Sequence, residues 1–333
     1  MIVRTPLVRA PAFGEDVWIK AELLQRGGSF KLRGVLNKLR GLAEVEVTTV
    51  SAGNHARAVA LACGARATIF MYRGVDAFKV AATRALGATV DLESETAAEA
   101  FARMAAFADE TGATVVHPFD DPAIITGAAG VGREIVEDLP DVATVIVPIG
   151  GGGLSAGIAS VIGDDVRLVC VEPDGAATLT AALAAGKPVA VAPSTAADAL
   201  APPSVGEHPF AILRDRAEAV TLTEAELAAG LRAAYADAKL ACEVGGAAAI
   251  AALVAGRVEP AGPTVLVASG GNIAPTALRA LLASLSTPLV MLHGFSDTWR
   301  TWDLNVRALE RRHELLAVRL PGHIGGPPLD SPD

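Results

Sequence analysis

Thr144-Val145-Ile146-Val147-Pro148-Ile149-Gly150-Gly151-Gly152-Gly153-Leu154 is the stretch from which the fold is read. Its first six residues form an apolar, β-branched run without polar alternation, the pattern of a strand buried on both faces of a parallel sheet. Four glycines then remove side chains from the turn, and a helix is predicted to begin near Leu154. Main-chain N–H groups at such a helix start have no partner within the helix, and the helix dipole favours negative charge there. Gly150, Gly151, Gly152, Gly153 and Leu154 therefore predict a phosphate site, with a plain flexible turn as the alternative. The spacing is neither GxGxxG nor GxxxxGK[ST], so a dinucleotide and a P-loop nucleotide lose ground to a monophosphate.

Similar runs at Ala67–Arg73, Arg167–Glu172 and Thr264–Ala268 predict further buried strands. Helices are predicted between them at Ala56–Cys63, Phe78–Leu86, Thr96–Glu110, Gly127–Asp138, Leu154–Ile162 and Glu224–Leu240. Thr223 and Glu226 make a capping box for the last of these. This rhythm predicts an α/β fold with parallel sheets and crossover helices on both faces. Residues 181–209, rich in Pro, Ala and Ser, read as a loop-rich excursion. The character changes at 284–288. Beyond it come Trp299, Trp302, the charged cluster Glu310–Glu314 and a Gly- and Pro-rich end, a segment of its own.

Composition narrows the function classes. The 333 residues are 51% hydrophobic but only 4% aromatic, with 28 basic against 37 acidic side chains and a net charge of −9. That balance argues against disorder and offers no footprint for nucleic acid. Cys63, Cys170 and Cys242 lie far apart with no CxxC pair, which argues against a disulfide scaffold or zinc site and for a reducing cytoplasmic setting. No apolar run is long enough to span a membrane, and no leader-like segment follows Met1.

Two more strand ends repeat the glycine design. Ser269-Gly270-Gly271-Asn272 follows Thr264–Ala268, and Ser51-Ala52-Gly53-Asn54-His55 follows an apolar run near 47–50. In the second, either Ser51 and Asn54 cap a helix starting near His55, or the free N–H groups there hold a substrate carboxylate while Asn54 gives an amide hydrogen bond to a ring substituent. Strand ends of this kind converge at the carboxyl edge of a parallel sheet, where ligands bind. Ser29-Phe30-Lys31-Leu32-Arg33-Gly34 adds a lysine between an aromatic and an apolar residue. A solvated surface lysine is one reading; a desolvated lysine with a depressed pKa that forms a Schiff base is the other. Beside a phosphate-type loop, Lys31 points to pyridoxal 5′-phosphate.

These four motifs, in this order, resemble the fold-type II pyridoxal-phosphate enzymes, which share the tryptophan synthase β architecture of two parallel-sheet domains. The nearest branch is the serine/threonine dehydratases (threonine ammonia-lyases) with their serine racemase relatives. The resemblance runs from about Thr5 to about Leu282. It implies a large cofactor domain at 1–33 and 122–284, a small inserted domain at 34–121, and an appendage at 285–333. It implies that Lys31 carries the cofactor, that Phe30 flanks it, and that Asn54 hydrogen-bonds its phenolic oxygen. The loop from Gly150 to Leu154 would wrap the phosphate, Ser269 would face the pyridine nitrogen, and Glu243 would lie beside the ring. Ser51, Gly53 and His55 would help hold the substrate carboxylate.

The implied activity is β-elimination of a hydroxy-amino acid, L-threonine or L-serine, to a 2-oxo acid and ammonia. Lys31 would be the general base. Rivals are a hydroxyaspartate or hydroxyectoine-derivative dehydratase, a racemase and an inactive cofactor-binding protein. Ala52 stands where serine racemases have serine, which favours elimination. Relatives bind a divalent cation through a Glu and an Asp; here the positions read Glu172, Ala176 and Thr178, so Glu172 reads as a strand-end carboxylate and no metal is expected. The partner is a free amino acid, and a homo-oligomer, first a dimer, is expected. The tail around His293-Gly294-Phe295 resembles the opening of an α/β-hydrolase, without its GxSxG elbow.

Overall fold

The computed structural model describes residues 1–42, 44–283, 289–292 and 315–318. It comprises two units, Met1–Ala274 and Pro275–Asp333. In the first, the chain forms β1 (Leu7–Arg9), β2 (Val17–Ala21), α1 (Lys31–Lys38), β3 (Val47–Val50), α2 (Asn54–Cys63), β4 (Ala67–Tyr72), α3 (Ala77–Arg84), β5 (Thr89–Ser94), α4 (Ala97–Thr111) and β6 (Thr114–Val115). It continues through α5 (Pro122–Asp138), β7 (Thr144–Pro148), α6 (Gly153–Ala159), β8 (Arg167–Pro173), α7 (Thr178–Ala185) and α8 (Glu207–Leu213). The last elements of this unit are β9 (Ala217–Leu222), α9 (Glu224–Ala236), α10 (Ala248–Val254) and β10 (Thr264–Ala268).

The strands make two sheets. One has the order β1-β2-β10-β7-β8-β9, parallel except for the β1–β2 pair at its edge. The other, β5-β4-β3-β6, is parallel throughout. Every residue of β7 and β10 is buried, as the unbroken apolar runs predict. In the larger sheet Val145, Val147, Val265 and Val267 pack with Ile125 and Ile135 of α5 and Ile158 of α6. The opposite face is covered by α10, an alanine-rich helix small enough to lie close against β7–β10. In the smaller sheet Ile69 and Met71 pack with Val59 of α2 and Val80 of α3, while Phe70 packs with Met104 of α4. Helices thus cover both faces of both sheets, the expected parallel α/β architecture.

Several boundaries differ from the sequence reading, for local reasons. Helix α5 starts at Pro122 rather than Gly127, because Asp121 accepts from the Ala123 N–H (2.7 Å) and proline suits the first turn. Gly127 therefore lies inside the helix. A Cβ there would stand 2.5 Å from the Arg33 carbonyl and 2.7 Å from the Gly34 Cα, so glycine lets α1 and α5 touch backbone to backbone. The capping box at Thr223 and Glu226 is present, but α9 stops at Ala236, shortly before Lys239 takes a positive φ of 60°. Part of the stretch predicted as loop is helical: α7, whose Thr-Leu-Thr-Ala-Ala-Leu-Ala-Ala sequence has too little polar contrast to show a period, and the start of α8.

Helix α1 is anchored by a buried ionic cluster. Arg33 (2% exposed) donates from Nε and Nη2 to both oxygens of Glu22 (each 2.8 Å), and from Nη1 and Nη2 to Glu134 (2.7 and 2.8 Å). Lys20 supplies the second cation, at 2.6 Å from Glu134, and Thr5 donates to Glu22. Two positive and two negative groups from three elements and a turn thus satisfy one another, the condition under which buried charge is tolerated.

In the second unit α11 spans Pro275–Ala283, and β11 (Leu289–Leu292) pairs in parallel with β12 (Leu315–Val318), Leu289 opposite Leu315. The tryptophans, the charged cluster, the Gly- and Pro-rich end and the hydrolase-like residues lie outside the described residues.

Candidate active site

The carboxyl ends of β7 and β10 in one sheet and of β3 in the other open onto one cavity of about 750 Å³. The three glycine-containing junctions and Lys31 all line it. Lys31 arrives there because the main chain before α1 is tied to the end of β10. Ser29 and Gly270 form an antiparallel bridge, and the Phe30 N–H donates to the Ser269 carbonyl (3.2 Å).

The Lys31 Nζ donates to the Pro118 carbonyl (2.8 Å) and lies 5.2 Å from the centre of the Phe30 ring. Burial lowers its pKa to about 8, and the negative Glu243 opposes the shift. An amine in this state is about one-tenth neutral at pH 7, about 300-fold more than an ordinary lysine, and the neutral form is what a nucleophile or base requires.

Asn54 sits in a directed relay. Asn272 donates from Nδ2 to the Gly27 carbonyl (2.8 Å) and to Asn54 Oδ1 (2.5 Å), while Asn54 Nδ2 donates to Glu243 Oε1 (2.5 Å). The amide of Asn54 is thereby fixed, with one N–H left for a ligand. Burial pushes the Glu243 carboxyl above its usual range, countered by the Asn54 hydrogen bond and by Lys79, Arg57 and Lys31. Asn54 does not cap α2, and neither does Ser51. The cap position belongs to Gly53, with no side-chain hydrogen bond, and the Ser51 hydroxyl accepts from the Gly53 N–H instead (3.2 Å). The main-chain N–H groups of Asn54 and His55 have no protein acceptor among the described residues. The His55 ring is not a cation: its Nε2 donates to the Val116 carbonyl (3.0 Å), Nδ1 is buried without a partner, and burial takes its pKa to about 3. What His55 offers an anion is its main-chain N–H.

The four glycines are required by packing as well as by a ligand. A Cβ on Gly151 would lie 2.2 Å from the Phe119 ring, on Gly153 3.1 Å from the Phe119 main chain, and on Gly150 2.9 Å from Pro202. Gly152 has φ +91°, a conformation L side chains avoid. Among the described residues, the N–H groups of Gly151, Gly152, Gly153 and Leu154 find no protein acceptor. Ser269 (7% exposed) lines the cavity, with no side-chain hydrogen bond to protein among the described residues. Glu172 lies elsewhere in role: its oxygens accept from the Leu179 and Thr180 N–H groups (2.9 and 2.8 Å) and from the Thr180 hydroxyl (2.6 Å). It ties the end of β8 to the first turn of α7. Among the described residues no cluster of His, Cys, Asp and Glu forms a metal site.

Sequence reading missed the segment 116–121, which joins these parts. Val116 receives His55 and the Thr49 hydroxyl (2.8 Å), Pro118 receives Lys31, and Phe119 packs on the glycine loop. Asp120 accepts from the Glu207 and His208 N–H groups (3.1 and 2.9 Å), and Asp121 caps α5. The available signal was a histidine between a short strand and a helix cap, a fourth strand-to-helix junction at the same edge.

These residues fit pyridoxal phosphate. A row of unpartnered N–H groups suits the phosphate, a desolvated amine the aldehyde, an oriented amide N–H the phenolic oxygen, and an unengaged hydroxyl the ring nitrogen.

Residues 1–270 match the family model described as "Pyridoxal-phosphate dependent enzyme". The chain is 42% identical over 287 residues to the L-threonine ammonia-lyase of Geobacter sulfurreducens, covering 81% of this chain and 71% of that protein. It is 35% identical over 291 residues to the catabolic L-threonine dehydratase of Escherichia coli K12, covering 82% and 88%. Among solved structures, the processed form of threonine deaminase isoform 2 from Solanum lycopersicum superposes with a TM-score of 0.78 at 34% identity, covering 86% and 84% of the two chains. Maize serine racemase gives 0.77 at 29% identity, covering 85% and 92%. The extent of these matches, over the residues that build the cavity, places the chain in the family of pyridoxal-phosphate dependent enzymes.

Proposed function

We propose that the chain catalyses β-elimination of L-threonine or L-serine, giving the 2-oxo acid and ammonia. The observation that carries this reading is the buried amine of Lys31, held by the Pro118 carbonyl in one cavity with the N–H loop at Gly150–Gly153 and with main-chain N–H groups of Asn54 and His55 that have no protein acceptor among the described residues. One anion-binding set suits the cofactor phosphate and the other the substrate carboxylate. Relatives named threonine ammonia-lyase and threonine dehydratase at 35–42% identity support the same chemistry. Among the described residues no helix is long and apolar enough to cross a membrane, and all three cysteines are buried and free, which supports a reducing cytoplasmic setting.

When bound, pyridoxal phosphate supplies an aldehyde for an amine and a ring that withdraws electrons from the substrate Cα. The chain does the rest. Main-chain N–H groups of Asn54 and His55 would hold the carboxylate, and Asn54 Nδ2, its amide fixed by Asn272, would donate to the phenolic oxygen. The Lys31 amine takes the Cα proton and, as its ammonium, returns it to the departing β-oxygen. Ser269 offers a hydroxyl at the ring nitrogen. Unlike a carboxylate, it would not hold that nitrogen protonated, which would favour prompt loss of the β-substituent. Ala52 has no proton to deliver to the opposite face of Cα, which supports elimination over racemisation.

Release of 2-oxo acid from a panel of L-threonine, L-serine and 3-hydroxyaspartate tests the reading. 2-Oxobutyrate from L-threonine or pyruvate from L-serine is expected at the highest kcat/KM. Preference for 3-hydroxyaspartate, or no 2-oxo acid from any of them, overturns it.

A further inference from the structure

Two histidines line the cavity, and their surroundings leave them different hydrogen-bonding capacity. His55 spends its only N–H on the Val116 carbonyl. His117 accepts at Nδ1 from the main-chain N–H groups of Phe119 (3.3 Å) and Asp120 (2.7 Å). A ring nitrogen that accepts two N–H groups carries no proton, so the neutral ring has its hydrogen on Nε2. A second proton would have to enter at Nδ1 and break both bonds. Burial also holds the pKa of His117 below the ordinary histidine value, with Asp120 opposing. Edge-on packing against Phe119, 4.8 Å between centroids at 83°, fixes the ring plane. Nε2 has no protein partner among the described residues, and the next residue, Pro118, is the one that holds Lys31 Nζ. The result is a neutral N–H donor, its ring plane fixed, on the same cavity wall segment that holds the base.

We propose that the Nε2–H of His117 hydrogen-bonds the β-oxygen of the bound hydroxy-amino acid and stabilises it as it leaves. This deepens, and rests on, the elimination reading. In the step, Lys31 takes the Cα proton and the C–H electron pair becomes the Cα–Cβ double bond. The Cβ–O bond breaks with its pair going to oxygen, and the proton held by Lys31 joins that oxygen as water. His117 transfers no proton. Its hydrogen bond strengthens as negative charge grows on the oxygen, so it lowers the barrier more than it tightens binding.

The test compares two substrates that give the same product, pyruvate, on the holoenzyme. L-serine needs stabilisation of a leaving oxygen; β-chloro-L-alanine loses chloride, which needs none. In His117→Ala the ratio of kcat for L-serine to kcat for β-chloro-L-alanine should fall roughly 10²-fold, the usual effect of removing a transition-state donor. His117→Gln, which keeps an N–H donor, should recover part of it. A purely structural role would lower both substrates together, and that result overturns the proposal. Nitrogen-15 chemical shifts of the unsubstituted protein give a check independent of any variant: a neutral Nε2–H ring is expected at pH 7, and an Nδ1–H ring or an imidazolium refutes it. If the unsubstituted enzyme releases neither pyruvate from L-serine nor 2-oxobutyrate from L-threonine, the elimination reading itself falls and this proposal with it.

Discussion

Replacing Gly151 by alanine puts the packing of the glycine loop to a quantitative test. The added Cβ would lie 2.2, 2.3 and 2.5 Å from three atoms of the Phe119 ring. Carbon atoms prefer about 3.5–4.0 Å, so ring or loop must yield by more than about 1 Å. The ring has little freedom, because the main chain of Phe119 and Asp120 is bonded to His117 Nδ1 and the Phe119 main chain lies under Gly153. Gly151 has no positive φ, so the cost is steric rather than a matter of backbone conformation. Overpacking of this kind costs about 1–3 kcal/mol. If it appears as displacement of the phosphate-binding N–H groups, cofactor affinity falls by about 5- to 150-fold, since about 1.4 kcal/mol is tenfold. The assay is titration of the apoprotein with pyridoxal phosphate, followed by visible absorbance. The control is the double-mutant cycle with Phe119→Ala: with the ring gone, Gly151→Ala should change affinity by less than about threefold. An equal loss in both backgrounds would show that the ring is not what forbids a side chain at 151.

Two further outcomes follow from buried charge. Arg33→Met leaves Glu22 and Glu134 without their shared partner and should lower unfolding stability by about 3–5 kcal/mol in a urea titration, whereas a change below about 1 kcal/mol would show the cluster to be dispensable. With Lys31 half-protonated at about pH 8, condensation of the apoprotein with the cofactor aldehyde should speed up as pH rises and level off above about 8; a rise continuing to pH 10 would contradict the desolvated amine. The sign for stability is the same. Between about 8 and the ordinary 10.5 the unfolded chain binds a proton that the fold rejects, so the contribution of Lys31 makes the apoprotein more stable as pH increases across that window.

How much of this was legible in sequence depended on where the information resides. Residues 144–148 and 264–268 could be read because burial on both faces leaves no polar alternation, and the site could be read where a strand end carries glycine beside Ser or Asn. The segment 116–121 could not, because the strand before it is two residues long and its main service to Lys31 is a carbonyl oxygen, which every residue has. The ionic cluster was equally hidden: Lys20, Glu22, Arg33 and Glu134 come from separate stretches, and each alone reads as a surface charge. At 54 the residue type suggested a cap, yet Asn272 and Glu243, distant in sequence, capture its amide. The glycines at 150–153 were readable as a phosphate loop but not as a packing constraint, since Phe119 approaches from another part of the chain.

The covalent role of Lys31 is open to direct measurement. Borohydride reduction of the protein with bound pyridoxal phosphate, followed by proteolysis and mass spectrometry, should find the cofactor on the peptide containing Ser29–Gly34, with the modification at Lys31. A reduced adduct on any other lysine, or none at all from protein that releases 2-oxo acid, would contradict it.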